Sequence, residues 1–145
     1  ALFKFTKNIL LNKKKNIYNK GNHIRDFTYV TDIATSIEKL IKKVPKKNES
    51  FKLKKNISFY CKAKLRILNI GNNDPQQLEK YISYIEKHIG KKAKKNYMPF
   101  QTGDALNTSA NVTKLKKLIG YSPKIKINEG IYNFVNWFKK YHKVK

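Results

Sequence analysis

The sequence predicts an α/β fold, and three observations carry the prediction. Amphipathic stripes at helical spacing recur along the chain, and short runs of β-forming residues separate them. One of those runs, Leu65, Ile67, Leu68 and Ile70, is almost continuously apolar, as in a strand buried on both faces of a parallel sheet. The 145 residues are 40% apolar and include eight Phe, nine Tyr and one Trp, enough for the core of a single domain over 1–145 and too apolar for the disordered class.

The elements follow in order. Leu2, Phe5 and Ile9 mark a first helix, widened by Phe3 and Leu10 and ending near Asn12. Asn16 to Asn19 reads as extended, before a turn at Gly21 and Asn22. Phe27, Thr28, Tyr29 and Val30 are β-formers, giving a short strand or extended run that stops at Thr31. Asp32 then stands as the N-cap of a helix with Ile33, Ile37, Leu40, Ile41 and Val44 on one face, closed by Pro45. Residues 46–64 are Lys-rich, alternate only weakly at Ile57 to Tyr60, and read as a variable loop.

After the apolar run, Gly71, Asn72 and Asn73 turn the chain. Asp74 caps a helix with Pro75 in its first position, striped by Leu78, Tyr81, Ile82, Ile85 and Ile89 and stopped by Gly90. Tyr97, Met98 and Phe100 form a short extended piece that leads into a polar loop, Gln101 to Ser109. Asn111 caps a short helix with Val112, Leu115, Leu118 and Ile119 inside and Gly120 at its exit. Ile127, Ile131, Phe134, Val135 and Phe138 define the last helix. No internal repeat is present, which excludes a solenoid.

A formal charge of +24 invites a polyanion as partner, because phosphate neutralisation drives sequence-independent binding. The identity of the cations argues otherwise. Of the 33 basic residues only Arg25 and Arg66 are Arg, and planar recognition of guanine or phosphate favours the guanidinium. Lys, Asn and Ile, encoded by A/T-rich codons, make up 63 residues, so genomic base composition accounts for the lysines, which cluster at element ends and loops. A solvated surface is therefore preferred to a dedicated nucleic-acid face. No stretch approaches the length of a membrane span and no secretory leader is visible. Cys61 is the only cysteine, which excludes internal disulfides and four-cysteine zinc sites and fits a reducing cytoplasm. The chain opens at Ala1 inside an amphipathic pattern, as expected of a piece of a longer protein.

No GxGxxG, P-loop, HExxH or GxSxG motif is present. His23, His88 and His142 are far apart and read as surface or packing residues; Cys61 has no identifiable base to make it a nucleophile. Arg25 is the sharper candidate, either a clamp for phosphate or carboxylate or the partner of Asp26 or Asp32 in a structural pair. Asp104, in the turn of QTGD, either accepts hydrogen bonds from sugar hydroxyls or closes an Asx turn.

Taken together, ALFKFTKNIL, NIYNKG, RDFTYVTDI, ILNIGNNDPQQLEKYI, KKNYMPFQTGDALNTSAN and KINEGIYNFVNWFKKYHKV resemble the carboxy-terminal part of NAD-dependent UDP-glucuronate 4-epimerases, in the extended short-chain dehydrogenase superfamily. RDFTYVTD and the NIG turn are shared widely by nucleotide-sugar epimerases and dehydratases, whereas ALFKFTK, MPFQTGD and NFVNWF resemble the glucuronate branch. The resemblance implies a UDP-sugar-binding portion of a Rossmann-type fold, an NAD-binding domain elsewhere in the protein, and a homodimer. It implies transient oxidation at C4: a Tyr takes the hydroxyl proton, hydride goes to NAD, the keto sugar rotates, and hydride returns to the other face. The glycine-rich loop of that chemistry is missing here, and the resemblance places its catalytic Tyr-x-x-x-Lys pair outside this stretch, which is expected to be inactive alone.

By position, the resemblance assigns Arg25 to the diphosphate, Asn16 and Tyr18 to the segment along the uracil, and Asp104 to the ribose. Gln101 stands where many relatives carry an Arg toward the phosphates. Another nucleotide-sugar epimerase, a 4,6-dehydratase and a basic polyanion-binding module are the alternatives.

Overall fold

The computed structural model describes residues 1–47 and 64–144. Its elements are α1 (Leu2–Leu10), β1 (Lys14–Ile17), a 3-10 turn (Tyr18–Gly21), β2 (Ile24–Asp26), α2 (Val30–Ile41), β3 (Pro75–Gln77), α3 (Leu78–Ile89), β4 (Lys94–Tyr97), α4 (Thr113–Ile119) and α5 (Ile127–Tyr141). The fold class is α/β, as the sequence predicts. β1 and β4 pair in parallel, Lys14 opposite Lys94 through Ile17 opposite Tyr97. β2 and β3 pair antiparallel, Arg25 opposite Gln76.

Backbone contacts divide the chain into two compact units. The first comprises Ala1–Phe27, Asp74–Ser109 and Ile125–Lys145. Its core is the set of apolar stripes read from the sequence: Phe5 and Ile9 of α1, Tyr81, Ile82, Ile85 and Ile89 of α3, and Ile131 and Val135 of α5, joined by Ile17 of β1. Burying each such side chain stabilises the unit by about 1.5–3 kcal/mol before entropy is counted. Phe27 stacks on Tyr81 with centroids 4.1 Å apart and rings parallel. Burial pushes the Tyr81 phenol well above its ordinary range. α3 stops at Gly90, whose φ of +79° is the left-handed conformation that a glycine adopts without strain. Beyond it, buried Glu86 accepts from the Ala93 amide at 3.0 Å and meets Lys92 at 3.2 Å.

The second unit comprises Thr28–Asn73 and Ala110–Lys124 and contains α2 and α4. Its buried residues include Asp32, Ser36 and Leu115. Asp32 Oδ1 accepts from the Tyr121 hydroxyl at 2.5 Å and from the Lys124 amide at 3.1 Å, and the Ser36 hydroxyl donates to the Asp32 carbonyl at 2.8 Å.

Several expected elements differ. Of the strand or extended run expected at Phe27 to Val30, the strand lies earlier, at Ile24–Asp26, because the ladder partner Pro75–Gln77 sets the pairing, while Tyr29 is extended and Val30 already belongs to α2. Asp32 is therefore not the N-cap: Tyr29 occupies that position, and Asp32 is in the first helical turn with its carboxylate on Tyr121 and Lys124. Asp74 does not cap α3 either. It precedes β3, donates its amide to Asp26 and accepts from the Gln76 side chain, and the helix begins at Leu78. Residues 65–70 form no strand: their exposure alternates as in an extended chain, but a ladder needs a partner for its N–H and C=O groups, and no described strand pairs with them. β1 begins two residues before the expected extended segment, and Tyr18 and Asn19 fall in the 3-10 turn. β4 likewise precedes the expected Tyr97 to Phe100 piece. Ile57 to Tyr60, Cys61 and most of the loop 46–64 lie outside the described residues. No described helix is long and apolar enough to cross a membrane.

Candidate functional site

The site is built on β2. Side chains alternate along an extended segment, so His23, Arg25 and Phe27 share one face, two residues apart. The polar loop reaches that face through backbone bonds. The Ile24 amide donates to the Leu106 carbonyl at 2.9 Å, and the Thr108 amide to the Ile24 carbonyl at 3.1 Å, which docks 106–108 beside β2. A turn in which the Asp104 amide donates to the Gln101 carbonyl at 3.1 Å then presents Asp104 to Arg25.

Arg25 has two distinct halves. Its Nη1 donates to the carbonyls of Ile24 at 3.0 Å and Leu106 at 3.1 Å, which fixes the plane of the guanidinium. Its Nη2 donates to Asp104 Oδ1 at 2.9 Å, in an ion pair whose side chains are 26% and 38% exposed. The other carboxylate oxygen, Oδ2, lies 3.6 Å from His23 Nε2. At that distance no hydrogen bond is formed, so Nε2, which is fully buried, has no hydrogen-bond partner. The ring's Nδ1 is 3.2 Å from the Ala105 carbonyl and 3.4 Å from Arg25 Nη2. Phe100 stacks on the imidazole at 6.3 Å.

A cleft of about 240 Å³ opens in front of this group. Four of the five residues expected at a ligand site line it: Asn16, Tyr18, Arg25 and Asp104. Asn16 and Tyr18 come from β1 and the turn after it, and the Asn96 amide of β4 holds the Asn16 side-chain oxygen at 2.9 Å. Gln101 is exposed and does not line the cleft; its carbonyl serves the turn that carries Asp104. The floor is apolar, with Phe5, Ile17, Phe27 and Leu78, and Lys4 and Lys15 add positive charge. Such a cleft suits an anionic ligand that also offers a flat ring and hydroxyl groups.

Sequence reasoning missed His23 as part of the site. The available signal was its spacing, two residues before Arg25 and four before Phe27 on an extended segment. His88 bonds Asn128 at 2.9 Å and packs edge-on to Tyr132, while His142 packs against Phe3 and Phe138. Lys95 forms a separate pair with Glu79 at 2.6 Å; burial alone lowers its pKa, but the Glu79 hydrogen bond together with the charges of Glu79, Glu86 and Tyr97 outweighs this and raises it. Gly21 lies directly under Glu79, where a Cβ would come within 2.7 Å of the carboxylate.

Comparison with known proteins identifies relatives over almost the whole chain. The family model described as GDP-mannose 4,6 dehydratase matches residues 1–134. Protein CapI of Staphylococcus aureus is 41% identical over 143 residues, covering 99% of this chain and 43% of its own length. A probable UDP-glucuronate 4-epimerase of Rhizobium meliloti is 33% identical over 139 residues, covering 95% of this chain and 41% of its own length. The crystal structure of UDP-glucuronic acid 4-epimerase from Bacillus cereus, in complex with NAD, superposes with a TM-score of 0.74 at 26% identity, over all of this chain and 40% of that one. This chain thus spans about two fifths of the length of these relatives.

Proposed function

Because this chain belongs to the NAD-dependent nucleotide-sugar epimerase/dehydratase family, and matches the carboxy-terminal part of its members, we propose that the Arg25 cleft binds the nucleotide part of UDP-glucuronate in a 4-epimerase that yields UDP-galacturonate. The observation that carries the reading is the guanidinium of Arg25, held on Nη1 by two carbonyls and on Nη2 by Asp104, in the lining of a cleft that also holds Asn16 and Tyr18. A guanidinium whose plane is fixed on one side offers a diphosphate a preorganised charge, and a charge-assisted bond from Nη2 contributes about 1.5–3 kcal/mol. Asn16 and Tyr18 supply an amide edge and an aromatic ring for a pyrimidine, and Asp104 supplies an acceptor for ribose hydroxyls.

The chemistry belongs to the whole protein. NAD supplies the hydride acceptor and donor for inversion at C4. The residues described here do not fit the dinucleotide, since no described helix opens on a glycine-rich turn after a parallel strand. We therefore assign the described residues of the cleft to substrate binding. The match to a dehydratase family model favours one second reading, a nucleotide-sugar 4,6-dehydratase using the same cleft.

Calorimetric titration with UDP-glucuronate tests the site. Arg25→Lys is expected to weaken binding about tenfold, because a point charge replaces a planar fork. Unchanged affinity removes Arg25 from the site. Turnover of UDP-glucuronate against dTDP-glucose by the full-length protein separates epimerase from dehydratase. Salt-sensitive binding to duplex DNA with no UDP-sugar binding indicates a polyanion module instead.

A further inference from the structure

We propose that His23 is a positioning residue of this cleft, which on protonation takes the Asp104 carboxylate from Arg25 and so frees the guanidinium for the phosphates of a ligand. The inference rests on the nucleotide-sugar reading of the cleft and adds a proton-linked step to it.

The geometry of the ring carries the argument. His23 is 3% exposed, and its Nε2 is buried with no hydrogen-bond partner, an arrangement that costs free energy unless a partner arrives. The nearest acceptor is Asp104 Oδ2 at 3.6 Å, and closing that gap by about 0.5 Å makes a normal hydrogen bond. The ring's other nitrogen already faces the Ala105 carbonyl at 3.2 Å. A neutral ring has one N–H and can satisfy only one of these two acceptors, whereas an imidazolium has two and satisfies both.

The same carboxylate is what occupies Arg25. Asp104 Oδ1 holds Nη2, the half of the fork that is not anchored on backbone carbonyls. A diphosphate arriving at Nη2 meets a like charge there, so binding is favoured when Asp104 has another cation to turn to. His23 lies on the far side of that carboxylate. The charged groups facing this cluster are Arg25 from β2, Lys4 from α1, Lys15 from β1 and Asp104 from the loop; Asp104 is the one carboxylate among the described lining residues. Leu78 of α3 contributes an apolar side chain to the cleft and donates its amide to the His23 carbonyl at 2.9 Å. Linkage then runs in both directions: protonation strengthens anion binding, and anion binding draws in a proton.

The test uses UDP-glucose, whose phosphates do not titrate between about pH 5 and pH 9, so that any proton taken up belongs to the protein. Calorimetry in buffers of differing ionisation enthalpy is expected to show proton uptake on binding, with affinity rising about tenfold as pH falls. His23→Gln, and separately His23→Phe, are expected to abolish both effects; circular dichroism identifies any variant that has lost its fold. A second measurement needs no ligand. The pH midpoint of the His23 ring signals in nuclear magnetic resonance spectra is expected to fall in Asp104→Asn, whose substitution lies on an exposed loop. Binding that is independent of pH, or His23→Gln binding that keeps the wild-type pH profile, overturns the proposal, and so does an unmoved ring midpoint in Asp104→Asn. Absence of UDP-glucose binding at every pH, with the ring midpoint moving as expected, instead overturns the nucleotide-sugar reading while leaving the His23 to Asp104 link in place.

Discussion

The unit built on α1, α3 and α5 and the unit built on α2 and α4 start from similar amphipathic helices and end differently. In the first, the stripes of three helices meet, and Ile82, Ile85 and Val135 are completely buried. In the second, the stripe of α2 remains open: Ile37 is 49% exposed and Ile41 71%, while the buried residues of that helix are Asp32 and Ser36. One unit is therefore held mainly by apolar packing, the other by a hydrogen-bonded carboxylate. Periodicity states which face a helix offers for burial; whether that face is covered depends on the rest of the fold.

The largest expected effect breaks this contrast most directly. Ile82→Ala removes a side chain from the centre of the nine-residue apolar cluster and is expected to cost about 2–5 kcal/mol of stability. Ile41→Ala, the same chemical change on the open face of α2, is expected to stay within about 0.5 kcal/mol. Urea unfolding of the two variants compares them, and equal losses would show that α2 is covered in solution.

A middle-sized effect comes from Asp32. Its carboxylate is buried and accepts from Tyr121 and from the Lys124 amide, so Asp32→Ala leaves both donors without an acceptor and is expected to cost about 2 kcal/mol. Chemical denaturation followed by far-ultraviolet circular dichroism measures the loss. A variant as stable as the parent removes this carboxylate as the organiser of the second unit.

The same contrast explains what could be read in the sequence. α1, α3 and α5 and the stop at Gly90 were legible because local period and local chemistry decide them. Residues 65–70 looked like a buried strand because a run of Leu and Ile reports hydrophobicity but not the presence of a pairing partner. Asp32 looked like a cap because capping is a local pattern, whereas its hydroxyl partner Tyr121 is 89 residues away. In the cleft, the scarcity of arginine pointed to Arg25, and the turn chemistry to Asp104. The ion pair between them spans 79 residues and has no sequence signal, and the unpartnered nitrogen of His23 is visible only once that pair is in place.

The smallest effect concerns pH and separates the two units by their tyrosines. In the second unit the hydrogen bond to Asp32, with smaller contributions from burial and from the Asp32 charge, raises the Tyr121 phenol above its ordinary range, while Thr35 acts in the opposite direction. A phenol whose pKa is higher folded than unfolded contributes stability that is complete below the unfolded value, about 10, and lost as pH rises through the folded one. Tyr81 obeys the same sign in the first unit, where burial is the cause and pushes the group much further up. Above about pH 10 both units are therefore expected to lose stability, the first over the wider pH span because Tyr81 is raised further. Hydrogen exchange resolved by residue reads the two losses separately. Tyr121→Phe is expected to cost about 1 kcal/mol at neutral pH and to remove the alkaline loss from the second unit alone. Relief of the alkaline loss in both units by Tyr121→Phe would mean that they unfold as one, and that the contrast between their cores has no consequence for stability.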